Sequence, residues 1–375
     1  MKPSRSVLAF SALWALAPLA FAGDVAPVPP PVDLGTLGGS ASVANGIYPV
    51  QGADVTVGGA NVFSDAYQHA FYTNALGYIE DLGSLIGVYG NSFAAGVSFR
   101  AGITGTSDQV IDVYGDIASH AFYISSIRLG MLDLGTNGGT LAGGNATQAK
   151  TVVGASTVTG DVAYCGFSWT QAGGMINLNT LANDLCLNGY NSYAIGISTN
   201  AAVAVGNSDA PDGSTHAVAW GLTTVPPTIY DLSTLGGSYA QADAINESGL
   251  VVGFSSLPGD AQIDAITCSG APAVCSDIGN LGGSYAQANG VNDSGVVVGE
   301  SNITGDTDVH AFVWTSGSGM VDLNTLLPEG SPFIELNSAN FIAPDGTIVG
   351  VGTALDGQSH AFTWLAPTPG PRRHK

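Results

Sequence analysis

Residues 277–323 read DIGNLGGSYAQANGVNDSGVVVGESNITGDTDVHAFVWTSGSGMVDL. Four short strand-like runs stand in this stretch: SYAQANGV, VVVGES, HAFVW and MVDL. Turn signals separate them. Asn292-Asp293-Ser294-Gly295 combines residues that hydrogen-bond their own backbone with a glycine that accepts positive φ. TGDTD forms an acidic loop, and SGSG turns the chain again. The apolar and aromatic residues of HAFVW suit a strand packed on both faces. Four strands in one unit of this length describe a β-propeller blade, whereas a β-solenoid coil would need about half the period.

The unit recurs. His-Ala-Phe stands at 69–71, 120–122, 310–312 and 360–362, with weaker copies at Cys165-Gly166-Phe167, His216-Ala217-Val218 and Asp264-Ala265-Ile266. These seven copies follow one another at intervals of 45 to 51 residues. An Asp-Leu step also occurs seven times, at Asp33, Asp81, Asp133, Asn177, Asp231, Asp277 (with Ile278) and Asp322. A Val-Gly step ends the second run at Gly58, Gly154, Gly206, Gly253, Gly299 and Gly350, and the second unit has the weaker Ile103-Thr104-Gly105. The phrase LGGSYAQA appears twice, at 235–242 and 281–288. It reads as the joint between blades, with Gly for a sharp turn.

The order of these landmarks predicts how the ring closes. Val32-Asp33-Leu34 precedes any complete unit, and the last unit ends at His360-Ala361-Phe362-Thr363-Trp364 without its own Asp-Leu strand. The N-terminal strand therefore supplies the missing strand of the C-terminal blade, which leaves no open sheet edge between the termini. The expected fold is all-β: a seven-bladed propeller of four-stranded blades over residues 32–366.

The phrases D-L-G-x-L-G-G, A-x-G-[IV]-N-D-S-G-x-V-V-G and H-A-F-x-W resemble the HAF-repeat family of extracellular proteins. The resemblance covers most of residues 33–364 and is strongest at 231–255 and 277–323. It implies export and a repeated β architecture, and it carries no established activity. The second unit departs from it in a longer loop, Asp108–Ser119, and two units carry Cys165 and Asp264 in place of the His. The tail APTPGPRRHK has the basic cluster of a sorting segment without the apolar stretch.

Composition agrees with export. Residues 1–22 read as a signal peptide: Lys2 and Arg5, an apolar Val7–Leu19, then Ala20-Phe21-Ala22 as a cleavage site. The apolar run is too short for a stable span, so no membrane span is expected. VAPVPPP at 25–31 gives a stiff lead-in, and 367–375 a basic flexible tail. The net charge is −21, and Arg100, Arg128 and Lys150 are the basic residues between the leader and the tail. Such a surface repels phosphate backbones, which excludes nucleic acid as a partner. Four cysteines in an exported chain predict two disulfides, with nearest-neighbour pairing Cys165–Cys186 and Cys268–Cys275. The chain is expected to be secreted, to the extracellular space or the periplasm, and monomeric.

Candidate chemistry lies in the repeated positions. The histidines at 69, 120, 216, 310 and 360 begin equivalent strands and are expected to be held by bonds to the neighbouring inter-blade loop. The acidic loops contain Asp209 with Asp212 and Asp306 with Asp308, and every unit has at least one such acid. They would ring one mouth of the channel. Hard oxygen ligands suit calcium as a cofactor, while Asp beside Gly is also ordinary turn chemistry. Tyr239 and Tyr285, next to the inter-blade turn, are candidates to flank a sugar or peptide. Trp169, Trp220, Trp314 and Trp364 follow the His position at fixed offset and are expected to pack the blades. No G-x-S-x-G, H-E-x-x-H or phosphate-loop motif occurs. The expectation is therefore a non-catalytic binding scaffold, with an extracellular protein or polysaccharide on the acidic-loop face. The alternative is a propeller enzyme acting on a polysaccharide or peptide.

Overall fold

The computed structural model describes residues 28–367 apart from 51–52, 99–101, 112–113 and 270–272. The leader, Arg100 and most of the basic tail lie outside the described residues. Among the described residues, twenty-eight strands form seven antiparallel four-stranded blades, two of which are also joined by one parallel bridge, Ile263 to Tyr285. The short β1 (Val32–Asp33) comes first. Blade 1 holds β2 (Gly38–Val50), β3 (Ala53–Val62), β4 (Gln68–Thr73) and β5 (Ile79–Gly83). Blade 2 holds β6 (Ser92–Ser98), β7 (Gly102–Val110), β8 (Ile117–Ile124) and β9 (Leu132–Asp133). Blade 3 holds β10 (Gly138–Gln148), β11 (Thr151–Val158), β12 (Tyr164–Thr170) and β13 (Gly174–Asn177). Blade 4 holds β14 (Ser192–Ile197), β15 (Val203–Asp209), β16 (Thr215–Gly221) and β17 (Thr228–Ser233). Blade 5 holds β18 (Ala240–Ile245), β19 (Val251–Ser256), β20 (Ile263–Ser269) and β21 (Val274–Gly279). Blade 6 holds β22 (Gly282–Val291), β23 (Val297–Ile303), β24 (Val309–Thr315) and β25 (Gly319–Asp322). Blade 7 has β26 (Phe333–Ile342), β27 (Ile348–Ala354) and β28 (Ser359–Trp364), and β1 is its fourth strand.

The N-terminal strand sits where the landmark order put it. Val32 pairs with Thr363 and Asp33 with Phe362. Asp33 also accepts from His360 Nδ1 at 2.9 Å, and Trp364 Nε1 donates to Pro29 O at 2.8 Å. The last blade meets the first directly: Asn340 Nδ2 donates to Ala44 O and Ala361 N to Ser42 Oγ.

The core lies between blades. Phe71, Phe122, Phe167, Phe312 and Phe362, each from the third strand of its blade, are fully buried, and Trp220 and Trp364 are buried with them. Both sequence-expected disulfides form, Cys165–Cys186 and Cys268–Cys275.

One register irregularity repeats in every blade. The first strand bulges at Asn45, Ala95, Asn145, Ile195, Asp243, Asn289 and Asn340, which have no register partner on the second strand. A bulge bends its strand and re-aims the extra side chain. It also explains the Val-Gly landmark. A Cβ added to Gly58, Gly105, Gly154, Gly206, Gly253, Gly299 or Gly350 would meet a carbonyl oxygen of the first strand at 1.8 to 2.0 Å. The second unit's Gly105 meets Phe93 O in the same way, so the weaker sequence match is a full structural equivalent. Both ends of that unit's long loop are strand, because β7 runs to Val110 and β8 starts at Ile117.

Candidate functional site

The acidic loops and the LGGS phrase turn out to be two halves of one contact. Asp65, Asp161, Asp260 and Asp306 sit at the loop tips with φ of 54 to 57°. Their carboxylates accept from the backbone N–H of Ser40, Thr140, Ser238 and Ser284, at 2.6 to 2.7 Å. The second glycine of the phrase has no room for a side chain because that carboxylate occupies it: a Cβ on Gly283 would lie 2.6 Å from Asp306 Oδ1 and 2.5 Å from Asn302 Cβ. The same hydrogen bonds hold these acids below the usual carboxylate range, with the Ser N–H first for Asp65, Asp260 and Asp306 and the Thr157 hydroxyl first for Asp161. In blades 2 and 4 the partner changes: Asp108 and Asp209 accept from the N–H of Asn91 and Asn191 at 2.8 Å.

Three of the four residues singled out as possible calcium ligands, Asp209, Asp212 and Asp306, have carboxylates that accept hydrogen bonds from the protein. Asp306 Oδ1 also takes Asn302 Nδ2 at 3.0 Å. Asp308 accepts from Ile303 N through its backbone oxygen. Asp209 adds the Thr215 hydroxyl, and Asp212 holds Ser214 through N and Oγ. Among the described residues no group of three His, Cys, Asp or Glu side chains comes together in metal-binding geometry.

The histidines are held differently from the sequence expectation. Their partner is the Asp of the Asp-Leu strand rather than an inter-blade loop. His69, His120, His216, His310 and His360 place Nδ1 at 2.7 to 3.0 Å from Asp81, Asp133, Asp231, Asp322 and Asp33. The physical reason is register: the His and Asp flank adjacent positions of the third and fourth strands, so each pair clips the outer strand to its blade. In blade 4 the clip extends to Ser214, whose Oγ lies 2.9 Å from His216 Nε2. This Ser214–His216–Asp231 line resembles a hydrolytic triad, which needs backbone donors at an oxyanion hole. The N–H groups of Gly213, Ser214 and Thr215 are instead committed to Ala210 O, Asp212 Oδ1 and Ser238 O. The hydroxyl itself bonds Asp212 at 2.5 Å. The line is a turn brace.

A cavity of about 520 Å³ occupies the centre, lined by the first strands of all seven blades. That volume lies in the range of about 300–1,000 Å³ usual for small-molecule sites. Every bulged residue reaches it: Asn45, Ala95, Asn145, Ile195, Asp243, Asn289 and Asn340. Four of the seven are asparagines, and each asparagine bonds the next blade through Nδ2, onto Ala94 O, Ala194 O, Ala339 O and Ala44 O. Blade 5 breaks the series with Asp243. A carboxylate cannot donate, so the next blade donates to it instead: Gln287 Nε2 reaches Asp243 Oδ2 at 3.1 Å. Gln241 Nε2 reaches Oδ1 at 2.7 Å.

The two tyrosines complete this network. Tyr239 OH donates to Gln241 Oε1 at 3.1 Å and accepts from Asn207 Nδ2 at 2.9 Å. Tyr285 OH donates to Gln287 Oε1. Two Tyr-x-Gln arms, one from each copy of LGGSYAQA, thus converge on the two oxygens of one carboxylate. Phe254 packs between the tyrosines, 5.6 Å from Tyr239 and 6.2 Å from Tyr285 between ring centroids. Burial first, then the nearby acids, pushes both phenols up. Burial also pushes Asp243 up to about 7, against the two amide bonds that lower it, with the charge of Glu300 adding to the rise. Asp243 retains some accessible surface and lines the central cavity, so the burial that matters to its charge is the protein around it.

Sequence reasoning placed Tyr239 and Tyr285 near a binding region and missed Asp243, Gln241, Gln287 and Glu300. The available signal was the substitution itself: Ala242-Asp243-Ala244 stands where the neighbouring copy has Ala288-Asn289-Gly290.

No protein-family model matches the chain, and no curated protein matches it either. Among solved structures it is similar to TolB from Acinetobacter baumannii, at 11% identity and a TM-score of 0.41 over 68% of this chain and 61% of that one. It is also similar to Trypanosoma rangeli sialidase in complex with the inhibitor DANA, at 12% identity and a TM-score of 0.42 over 90% of this chain and 58% of that one. The chain spans about three fifths of the length of each.

Proposed function

We propose that the protein is an exported, non-catalytic scaffold of HAF-type repeats that binds a small polar ligand, or the end of a larger extracellular one, in its central channel. One observation carries this reading: a cavity of about 520 Å³ into which all seven blades project the bulged residue of their first strand. A perturbed carboxylate in a cavity marks a candidate site, and Asp243 is held there by arms from two blades. Export is supported by the two disulfides, which persist in oxidising compartments. The binding reading is preferred to catalysis because the channel carboxylate is tied to two amides and the N–H groups of Gly213, Ser214 and Thr215 are committed elsewhere.

The test uses Ala95, a small channel residue at a position where other blades carry Asn, Ile or Asp. Ala95→Trp projects an indole ring into the channel and lies away from the acidic loops. A panel of extracellular glycans, peptides and small polar metabolites is screened by thermal shift on both proteins. A ligand that stabilises the parent and leaves Ala95→Trp unmoved supports the channel. Equal shifts in both proteins would place binding elsewhere. Turnover of a glycan or peptide that disappears in Asp243→Asn would overturn the non-catalytic reading.

A further inference from the structure

We propose that the channel selects a ligand carrying a protonated amine, held against Asp243 and Glu300. This deepens the channel reading above and rests on it. The charge of the wall carries the inference. Six of its amides already commit a donor within the protein: Asn45, Asn145, Asn289 and Asn340 bond inter-blade carbonyls, and Gln241 and Gln287 bond Asp243. No Lys, Arg or His lines the cavity among the described residues, whereas Asp243, Glu300 and Asp293 all do.

A site rich in acceptors and negative charge is complementary to a group rich in donors and positive charge, and an ammonium offers three donors and no acceptor. The protein walls around the cavity strengthen the attraction, since opposite charges interact more strongly where less bulk water screens them. The same wall repels carboxylate and phosphate ligands.

The groups facing Asp243 are Glu300, Tyr239, Tyr285 and the amides of Gln241 and Gln287. None of them is a base that could neutralise it internally. The raised proton affinity of Asp243 then follows from an unmatched charge, and a bound ammonium would supply the missing partner. Binding should release a proton, so affinity should rise with pH as the carboxyl ionises on its own.

Isothermal titration of the full chain with putrescine, at about 0.15 M salt to screen the general acidity, tests this. Glucosamine against glucose and N-acetylglucosamine isolates the ammonium on a constant ring. The expected results are one site per chain, putrescine affinity that rises several-fold from pH 6 to pH 8, and glucosamine at least ten-fold tighter than its neutral counterparts. Asp243→Asn places at blade 5 the residue that four other blades already carry. It should remain folded and lose putrescine by ten-fold or more. Ala95→Trp should lose it too. If neutral sugars bind as tightly as glucosamine and Ala95→Trp abolishes them, the amine inference falls while the channel reading survives. If putrescine binds Ala95→Trp or Asp243→Asn as well as the parent, or fails to bind the parent, the inference is overturned. Displacement of putrescine by millimolar calcium with equal pH dependence would reassign the pair to an inorganic cation.

Discussion

Replacing Gly299 by Ala adds a single carbon at the tightest place in blade 6. The new Cβ would lie 1.9 Å from Gln287 O and 2.8 Å from two ring atoms of Phe312. Such contacts are not seen below 3.0 Å, so β22 and β23 must part by roughly 1 Å. That separation takes the ladder bonds beside the Ala288–Gly299 pair from normal length to about 4 Å, beyond hydrogen-bonding range. Two bonds at about 1 kcal/mol each and overpacking of about 1–3 kcal/mol give a loss of about 3–5 kcal/mol. Unfolding entropy of about 2.1 cal/mol/K per residue makes this a fall in Tm of roughly 4–7 °C for a domain of this size. Calorimetry on the purified variant reads it. Gly221→Ala is the control: its nearest neighbour is 3.6 Å away, so it should leave Tm unchanged or raised by about 1 °C. A Gly299→Ala protein melting within 1 °C of the parent would refute the claim that bulge geometry dictates the Val-Gly step.

The closing strand gives a second expectation. Deleting residues 28–36 removes the β1 pairing, the Asp33–His360 clip and the Trp364 bond to Pro29, and should lower Tm by about 8 °C or more. Asp231→Ala removes the equivalent clip in blade 4 while leaving the backbone ladder, and should lower it by about 1–3 °C; equal losses in the two proteins would contradict closure by the N-terminal strand. A third concerns pH. The carboxyl of Asp243 is raised in the fold from 3.8 to about 7, so its folded form holds the proton more tightly. Its contribution is fully present below pH 4 and is lost as pH rises toward 7, by roughly 4 kcal/mol at most. Asp243→Asn should therefore match the parent in urea unfolding at pH 4 and exceed it at pH 8; a constant difference at all pH values would show that the carboxyl is not perturbed.

Blade number, strand order and the out-of-phase closure were legible because each is written in repeated landmarks. Four strands per period and an Asp-Leu step ahead of the first unit need only local pattern. The disulfides followed from the even count and short spacing. The roles of the landmarks were less legible. The Asp of the acidic loop and the second Gly of LGGS are some twenty residues apart in sequence, and only the folded blade brings Asp306 against Gly283. The His–Asp clip likewise joins two motifs that the sequence shows as separate. Asp243 was hardest to see, because a bulge is a register property and because one Asp among 29 acidic residues carries no local mark. Its meaning comes from the Asn that four other blades carry at its position and from the two Tyr-x-Gln arms that meet on it.

The most direct measurement is a crystal structure of the protein soaked with the tightest ligand from the thermal-shift panel. Density is expected inside the channel, with ligand donors within about 3 Å of Asp243 or Glu300 and the Tyr239–Gln241 and Tyr285–Gln287 arms in place. Density on the acidic-loop face, around Asp209, Asp212, Asp306 and Asp308 with an unoccupied channel, would contradict it.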